Sequence, residues 1–392
     1  MATAGRTLGV VELFLLAAGA AGLVLAAVVT VFGRRVRVQG HRQLRPPRIH
    51  AGSESRVELS LRNAGGWTTP VCMVREAFAD GNRQVRLLLG PVLPGQTGHA
   101  TYRLPAERRG IYPVGPLQVV RTDPFGLATR TTVVAGATEL TVYPRIDAIT
   151  ALAPTGGRDM RTGANRAAVL SPAGEDFYGL RAYEVGDDLR RVHWPSTARL
   201  DELMIRQHEV PRQGRVAVLL DLRPAALASE WVETAVSAAA TVVVACWRAG
   251  LLVRLITTEG FDAGYGAGHA HLELMMEELA VVEPVAEDGL DAALGRLRAD
   301  PAPAGLVAVV GTAASAGDVE AVVRSGRGPG ATTLVAVGDE HPAGRGRSGG
   351  AALPPAVTVV AVGPRSPFAS AWEQALAPAR RFPAAPQTLG TS

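Results

Sequence analysis

From Leu8 to Phe32 the apolar positions run without a break, and Glu12 is the only charged side chain among these 25 residues. No polar face recurs at helical spacing, which argues against a buried core helix. At about 1.5 Å per residue, such a helix reaches roughly 37 Å and can cross a hydrocarbon layer of about 30 Å. A cleaved signal peptide is the competing reading, with Ala18-Gly19-Ala20 as the small-residue cleavage site. Against it, the apolar run continues to Phe32 and ends at arginines, a stop that a removable signal does not need. Arg34, Arg35, Arg37, Arg42, Arg45 and Arg48 follow the run, against Arg6 alone before it, so the positive-inside rule predicts a cytoplasmic body on a single-pass anchor in the cell membrane.

The period then changes to two. Val57, Leu59 and Leu61 alternate with Glu58, Ser60 and Arg62, the pattern of a strand with one wet face. Short runs of the same kind follow at Val71–Phe78, Val85–Leu89, Thr97–Leu104, Gly115–Arg121, Leu127–Val134 and Thr138–Tyr143. Turn material such as Asn63-Ala64-Gly65-Gly66, Asp80-Gly81-Asn82 and Pro94-Gly95 separates them. Some seven or eight such strands predict an antiparallel β-sandwich over residues 36–145. In Asp123-Pro124-Phe125-Gly126-Leu127, Pro fixes a turn, Gly permits a positive φ, and Phe125 is expected to plug one end of the sandwich.

Beyond residue 212 the pattern alternates again, now between unbroken apolar runs and longer helical stretches. Arg215–Leu220, Leu251–Thr257, Leu306–Val310, Thr332–Val337 and Val357–Val362 read as buried strands. Trp231–Ala249, Leu272–Ala280, Leu290–Arg298 and Ala316–Arg324 read as helices between them. This predicts an α/β, doubly wound, mostly parallel sheet over residues 212–377. Asp339–Pro355 and the tail 378–392, rich in Gly, Ala and Pro, read as mobile loop and disordered end.

Composition narrows the chemistry. All 40 basic residues are Arg, so a P-loop lysine, a Schiff base and a lysine nucleophile are excluded. A net charge of +4, with the arginines gathered near the anchor, gives no nucleic-acid face. Cys72 and Cys246 lie in separate apolar runs and read as buried thiols. His269 and His271 beside Gly264-Tyr265-Gly266-Ala267-Gly268 lack a third ligand and a strand-turn-helix setting, so a flexible loop is expected and no metal or phosphate site. No cofactor is expected.

Residues 146–211 form a linker whose part from Gly174 to Trp194 mixes both charge signs with aromatic residues. Arg forks binding carboxylates and stacking on aromatic faces predict an ion-pair network there. The segment Gly174–Arg199, with Arg109-Gly110-Ile111-Tyr112, Asp123-Pro124-Phe125-Gly126-Leu127 and Val142-Tyr143-Pro144-Arg145, resembles the bacterial domain-of-unknown-function family number fifty-eight. The signature positions, and candidate interaction residues, are Glu175, Asp176, Phe177, Gly179-Leu180-Arg181, Tyr183, Gly186-Asp187, Arg190, Trp194 and Thr197-Ala198-Arg199.

The resemblance implies a membrane-tethered protein with a von Willebrand factor A-like domain and a MoxR-type AAA+ ATPase as partner. It also implies two N-terminal membrane helices where this chain shows one, so either a first helix is missing or the start codon is misassigned, and in both cases the arginine side stays inside. A domain of that type holds a divalent ion on an Asp-x-Ser-x-Ser loop, because a hard cation needs oxygen ligands. Here the loop reads Asp221-Leu222-Arg223-Pro224-Ala225, with Arg and Ala at both serine positions. A degenerate ion site is therefore expected, with Arg223 pairing with Asp221.

Two functions follow. The first is a non-enzymatic protein-binding and assembly module at the membrane. The alternative is a cell-envelope hydrolase using Glu175 or Asp187 as acid and base and His193 as proton shuttle. No serine or cysteine stands in a nucleophile setting to support the second.

Overall fold

The structure is a computed structural model that describes residues 11–33, 37–79, 83–152, 177–182, 194–200, 203–208, 214–285, 289–299, 305–326, 332–339 and 357–380. The chain divides into two compact units. One holds residues 1–147 with 236–241 and 272–284; the other holds 148–235, 242–271 and 285–392.

The first unit begins with helix α1 (Val11–Phe32), 22 residues with a mean hydropathy of 2.5 and only 11% of its apolar stretch buried. At about 1.5 Å per residue it is some 33 Å long, so it could span a bilayer. A second long apolar helix, α3 (Val232–Arg248) with the turn before it, is 61% buried, as a core helix should be.

Among the described residues of this unit, nine strands follow α1: β1 (Val38–Arg45), β2 (Arg48–His50), β3 (Ser53–Asn63), β4 (Cys72–Phe78), β5 (Arg83–Leu89), β6 (Thr97–Ala106), β7 (Gly110–Thr122), β8 (Thr129–Ala135) and β9 (Thr138–Tyr143). One sheet has the order β1-β3-β6, and the other β2-β9-β7-β4-β5 with β8 also on β7. Val57, Leu59 and Leu61 of β3 are buried, and they join Val74 of β4, Val114, Leu117 and Val119 of β7 and Leu140 and Val142 of β9 in one core. Both sheets thus put their apolar alternate positions into a shared interior.

A polar group crosses that core. Arg42 of β1 donates through Nη1 to Glu76 of β4, and through Nη2 to the Gly136 carbonyl (2.6 Å) and to Thr138 Oγ1 (2.7 Å). Tyr102 of β6 donates its hydroxyl to the other oxygen of Glu76. Burial, with the Glu76 carboxylate beside it, pushes the Tyr102 phenol far above its ordinary range, so it remains a donor.

Three expectations are corrected in this unit. The sheet is not wholly antiparallel, because β2 runs parallel to β9. β7 starts at Gly110 and carries Pro113 and Pro116, so Arg109-Gly110-Ile111-Tyr112 leads into a strand. Phe125 is no plug: it is 71% exposed, on a turn whose backbone is tied to Asp123.

The second unit contains a small antiparallel pair, β10 (Phe177–Ala182) with β11 (Met204–His208), and the short helix α2 (Trp194–Leu200) between them. The linker reading of 146–211 therefore missed regular structure. The main sheet is five-stranded and parallel, in the order β13-β12-β14-β15-β16: β12 (Arg215–Leu220), β13 (Leu252–Thr257), β14 (Gly305–Gly311), β15 (Thr332–Val337) and β16 (Val357–Val362). Helices α5 (Leu290–Ala299), α6 (Ala316–Ser325) and α7 (Phe368–Arg380) complete the described elements of this unit, while α4 (His269–Val281) belongs to the first unit from Leu272 onward. On one face Leu290, Ala293, Leu294 and Leu297 of α5 and Val322 of α6 cover Leu219, Ala308 and Leu334 of the sheet.

The expected disordered tail begins too early, since α7 runs to Arg380; residues 381–392 lie outside the described residues. The glycine-rich stretch is also tied down. Arg254 grips Asp262 through Nε (2.8 Å) and Nη2 (2.6 Å), and Gly266 and Val253 exchange backbone hydrogen bonds.

Candidate functional site

In a parallel sheet the strand carboxyl ends form a crevice where the chain order reverses. Here β12 is followed by β13 on one side and β14 on the other, so the reversal lies between β12 and β14. Asp221 stands directly after β12, with its backbone N–H donated to the Val309 carbonyl (2.9 Å) and only 1% of the residue exposed. A carboxylate this deep needs donors to offset its lost hydration.

Arg223 supplies them. Its Nε donates to Asp221 Oδ1 (3.0 Å), its Nη2 to Oδ2 (2.9 Å), and its backbone N–H to Oδ1 (3.1 Å). The fork is the two-point geometry in which guanidinium and carboxylate bind most strongly. Arg223 Nη2 also reaches Asp318 Oδ2 (3.1 Å), so one cation serves two acids. Asp318 sits in the first turn of α6 and completes a capping box with Ser315, whose hydroxyl accepts from the Asp318 N–H (3.1 Å). Thr258, just after β13, accepts the Leu222 N–H (3.0 Å) and holds the loop to the sheet.

Beside these residues is a cleft of about 250 Å³, lined by Ala226, Ala228, Trp231, Thr312, Gly338 and Asp339. Gly311 is required where it lies: a Cβ there would fall 1.9 Å from the Ala226 carbonyl oxygen, so only glycine lets β14 and the Asp221 loop approach this closely. With its oxygens taken by one guanidinium and a backbone N–H, Asp221 has little lone-pair capacity left to coordinate a cation. Among the described residues, no three His, Cys, Asp or Glu side chains converge as a metal-binding group.

The other sequence-predicted residues are placed unevenly. Glu175, Asp176, Tyr183, Gly186, Asp187, Arg190 and His193 lie outside the described residues. Arg181 is on β10, opposite Ile205 of β11. Trp194 opens α2 and is exposed, Arg199 is in its last turn, and Thr197 Oγ1 accepts the Met204 N–H (3.0 Å). His269 and His271 have structural partners: His269 meets the Trp247 ring edge-on at 4.8 Å, and His271 Nε2 lies 2.8 Å from the Val253 carbonyl. Sequence reading missed Asp318 and Thr258. Ser315-Ala316-Gly317-Asp318 carried a legible signal as a capping box, whereas nothing in the sequence linked it to Arg223.

Residues 179–352 match the family model described as Protein of unknown function DUF58. No curated protein matches the chain. Among solved structures, the CARDB domain of a Pyrococcus furiosus protein in complex with di-metal ions is 14% identical, with 27% of this chain and 93% of that one covered and a TM-score of 0.21. The Pseudomonas fluorescens alkylpurine DNA glycosylase AlkC is 12% identical, covering 29% of this chain and 33% of that one, with a TM-score of 0.20. A Listeria innocua beta-glucosidase mutant is 14% identical, covering 27% and 16%, with a TM-score of 0.19. Likeness at this level carries no functional argument.

Proposed function

We propose that this protein is a membrane-anchored, non-enzymatic protein-binding module. In this reading its two β-sheets form a sandwich, and its parallel sheet is a von Willebrand A-like domain whose cation position is filled by Arg223. The observation that supports it is the two-point Arg223 grip on buried Asp221, an internal cation on the carboxylate that in a domain of that type would hold the ion. The neighbouring cleft, with Trp231 on its wall, then takes a polypeptide segment directly. The resemblance to family fifty-eight supplies the candidate partner, a MoxR-type AAA+ ATPase, and the arginines after α1 supply the cytoplasmic orientation.

Two measurements test this reading. Titration of the detergent-solubilised full chain with magnesium or manganese should release no heat of binding at micromolar concentrations. Binding that Asp221→Ala abolishes sinks the internal-cation reading. Co-purification from native membranes, with and without nucleotide, should recover an AAA+ ATPase and should lose it in a Trp231→Ala variant. Recovery of no ATPase in either condition removes that partner.

A further inference from the structure

Three connections of the first unit meet at the end where the chain arrives from α1. Val38, the first residue of β1, lies opposite Asn63 at the end of β3. Arg62 faces Thr97, Cys72 faces Leu89, and Met73 faces Val120, so residues 64–71, 90–96 and 123–128 all turn at that end. The first two connections are stitched together. Asn63 Nδ2 donates to the carbonyls of Trp67 (2.8 Å) and Val92 (2.9 Å), while Thr69 and Val92 exchange two hydrogen bonds (3.0 and 2.8 Å).

The third connection touches the helix itself. Ala128 packs with Ala27 and Val31, and Arg121 donates from Nη2 to the Val31 carbonyl (2.6 Å). The Arg130 guanidinium lies 5.5 Å from the centre of the Phe32 ring. Ala27 precedes Phe32 by five residues, about 7 Å along the helix axis. The β7–β8 turn therefore stands beside the last turns of the apolar helix, at their depth.

These tips present apolar side chains outward. Phe125 and Leu127 are exposed on the β7–β8 turn, and Trp67, Val71 and Leu93 on the other two connections. The Phe125 turn is rigid, because Asp123 accepts the N–H groups of Phe125 (2.9 Å) and Ala128 (2.6 Å), and Gly126 provides the positive φ of 70°. A pinned backbone that holds an aromatic ring in solvent is an arrangement for contact with something apolar.

We infer that this end of the β unit is a second membrane contact, with Phe125, Leu127 and Leu93 seated in the interfacial layer of the bilayer that α1 spans. The inference rests on α1 being membrane-embedded. Lipid is the occupant because the turn that carries Phe125 and Leu127 packs through Ala128 on Ala27 and Val31 of α1, because that contact lies about 7 Å along the axis from the end of α1, within the roughly 5–10 Å reached by interfacial segments, and because a tryptophan lies among the tips, where membrane boundaries favour it. Exposed Arg37 and Arg62 beside the tips suit anionic headgroups.

The test uses the full chain in vesicles of phosphatidylcholine and phosphatidylglycerol. An environment-sensitive fluorophore is placed in turn at Phe125→Cys, Leu93→Cys, Leu15→Cys in α1, and Glu54→Cys at the opposite end of β3. The labels at 125 and 93 should be quenched several-fold more by lipid-borne nitroxide than the label at 54, and should resist aqueous iodide. If the label at 15 is quenched by lipid while those at 125 and 93 respond to iodide, the inference is overturned and the anchor stands. Shielding of 125 and 93 from both quenchers means a protein covers the tips, and overturns it too. If the label at 15 is not quenched by lipid, the anchor fails and takes the inference with it.

Discussion

At the scale of single residues, burial sets the chemistry. Burial pushes the Cys246 thiol up to about 11 from an ordinary 9.0, and it raises the Cys72 thiol against the opposing pull of Arg121. The folded protein therefore holds the Cys246 proton to higher pH than the unfolded chain does. The associated stability is intact below pH 9 and is lost as pH rises toward 11, by about 3 kcal/mol at an order-of-magnitude level. Urea midpoints measured across this range should fall more steeply for the native sequence than for Cys246→Ala; parallel curves would contradict the assignment. The sequence already made both cysteines legible as buried thiols, since each lies in an apolar run. Phe125 was misread for the same reason: an aromatic after proline looks like core, and nothing local says that its turn ends beside a helix a hundred residues earlier.

At the scale of elements, the Arg42–Glu76 pair joins the two sheets, with Tyr102 adding a donor to the acid and Thr138 an acceptor to the base. Removing one member strands a buried charge, so Glu76→Ala should destabilise the protein by about 3–5 kcal/mol, whereas Arg42→Met with Glu76→Leu should cost much less. A double-mutant cycle of urea midpoints reads this directly, and additive losses would show that the two groups do not act as a pair. The same arginine explains why β1 was not named from the sequence. Among Arg37, Arg42, Arg45 and Arg48, a buried arginine on a strand is indistinguishable from a membrane-flanking one. β7 was read too short because Pro113 and Pro116 argue against strand, yet the strand tolerates both. The parallel strands were nearly complete in the sequence, since Arg215–Leu220, Thr332–Val337 and Val357–Val362 are unbroken apolar runs with β-branched residues. α7 has an apolar stripe, Phe368, Ala371, Trp372 and Leu376 at helical spacing, but alanines on its other faces and Pro378 near its end masked it in the sequence. At the crevice, Asp221 was legible from its place at the end of an apolar strand and Arg223 from the resemblance, where it stands at a serine position of the ion loop, whereas Asp318 is 95 positions from Arg223 and only the fold unites them.

At the scale of the whole molecule, the proposed function turns on whether α1 spans a membrane and on which side the body then lies. Six arginines after the apolar span against one before it predict the inner side. Protease added to intact cells should leave the body uncut and should degrade it after lysis, and alkaline carbonate should not extract the protein. Cleavage in intact cells would reverse the orientation and reopen the envelope-hydrolase alternative.

The Arg121 bond to the Val31 carbonyl has a mechanical consequence. A span joined to its cargo by a loose hinge can lean in a thin bilayer without disturbing what it carries. With α1 in a bilayer, as proposed, a helix whose Val31 carbonyl is clasped by a guanidinium rooted in β7 would hand that lean on as torque, and bilayer thickness would become a force felt by the strands.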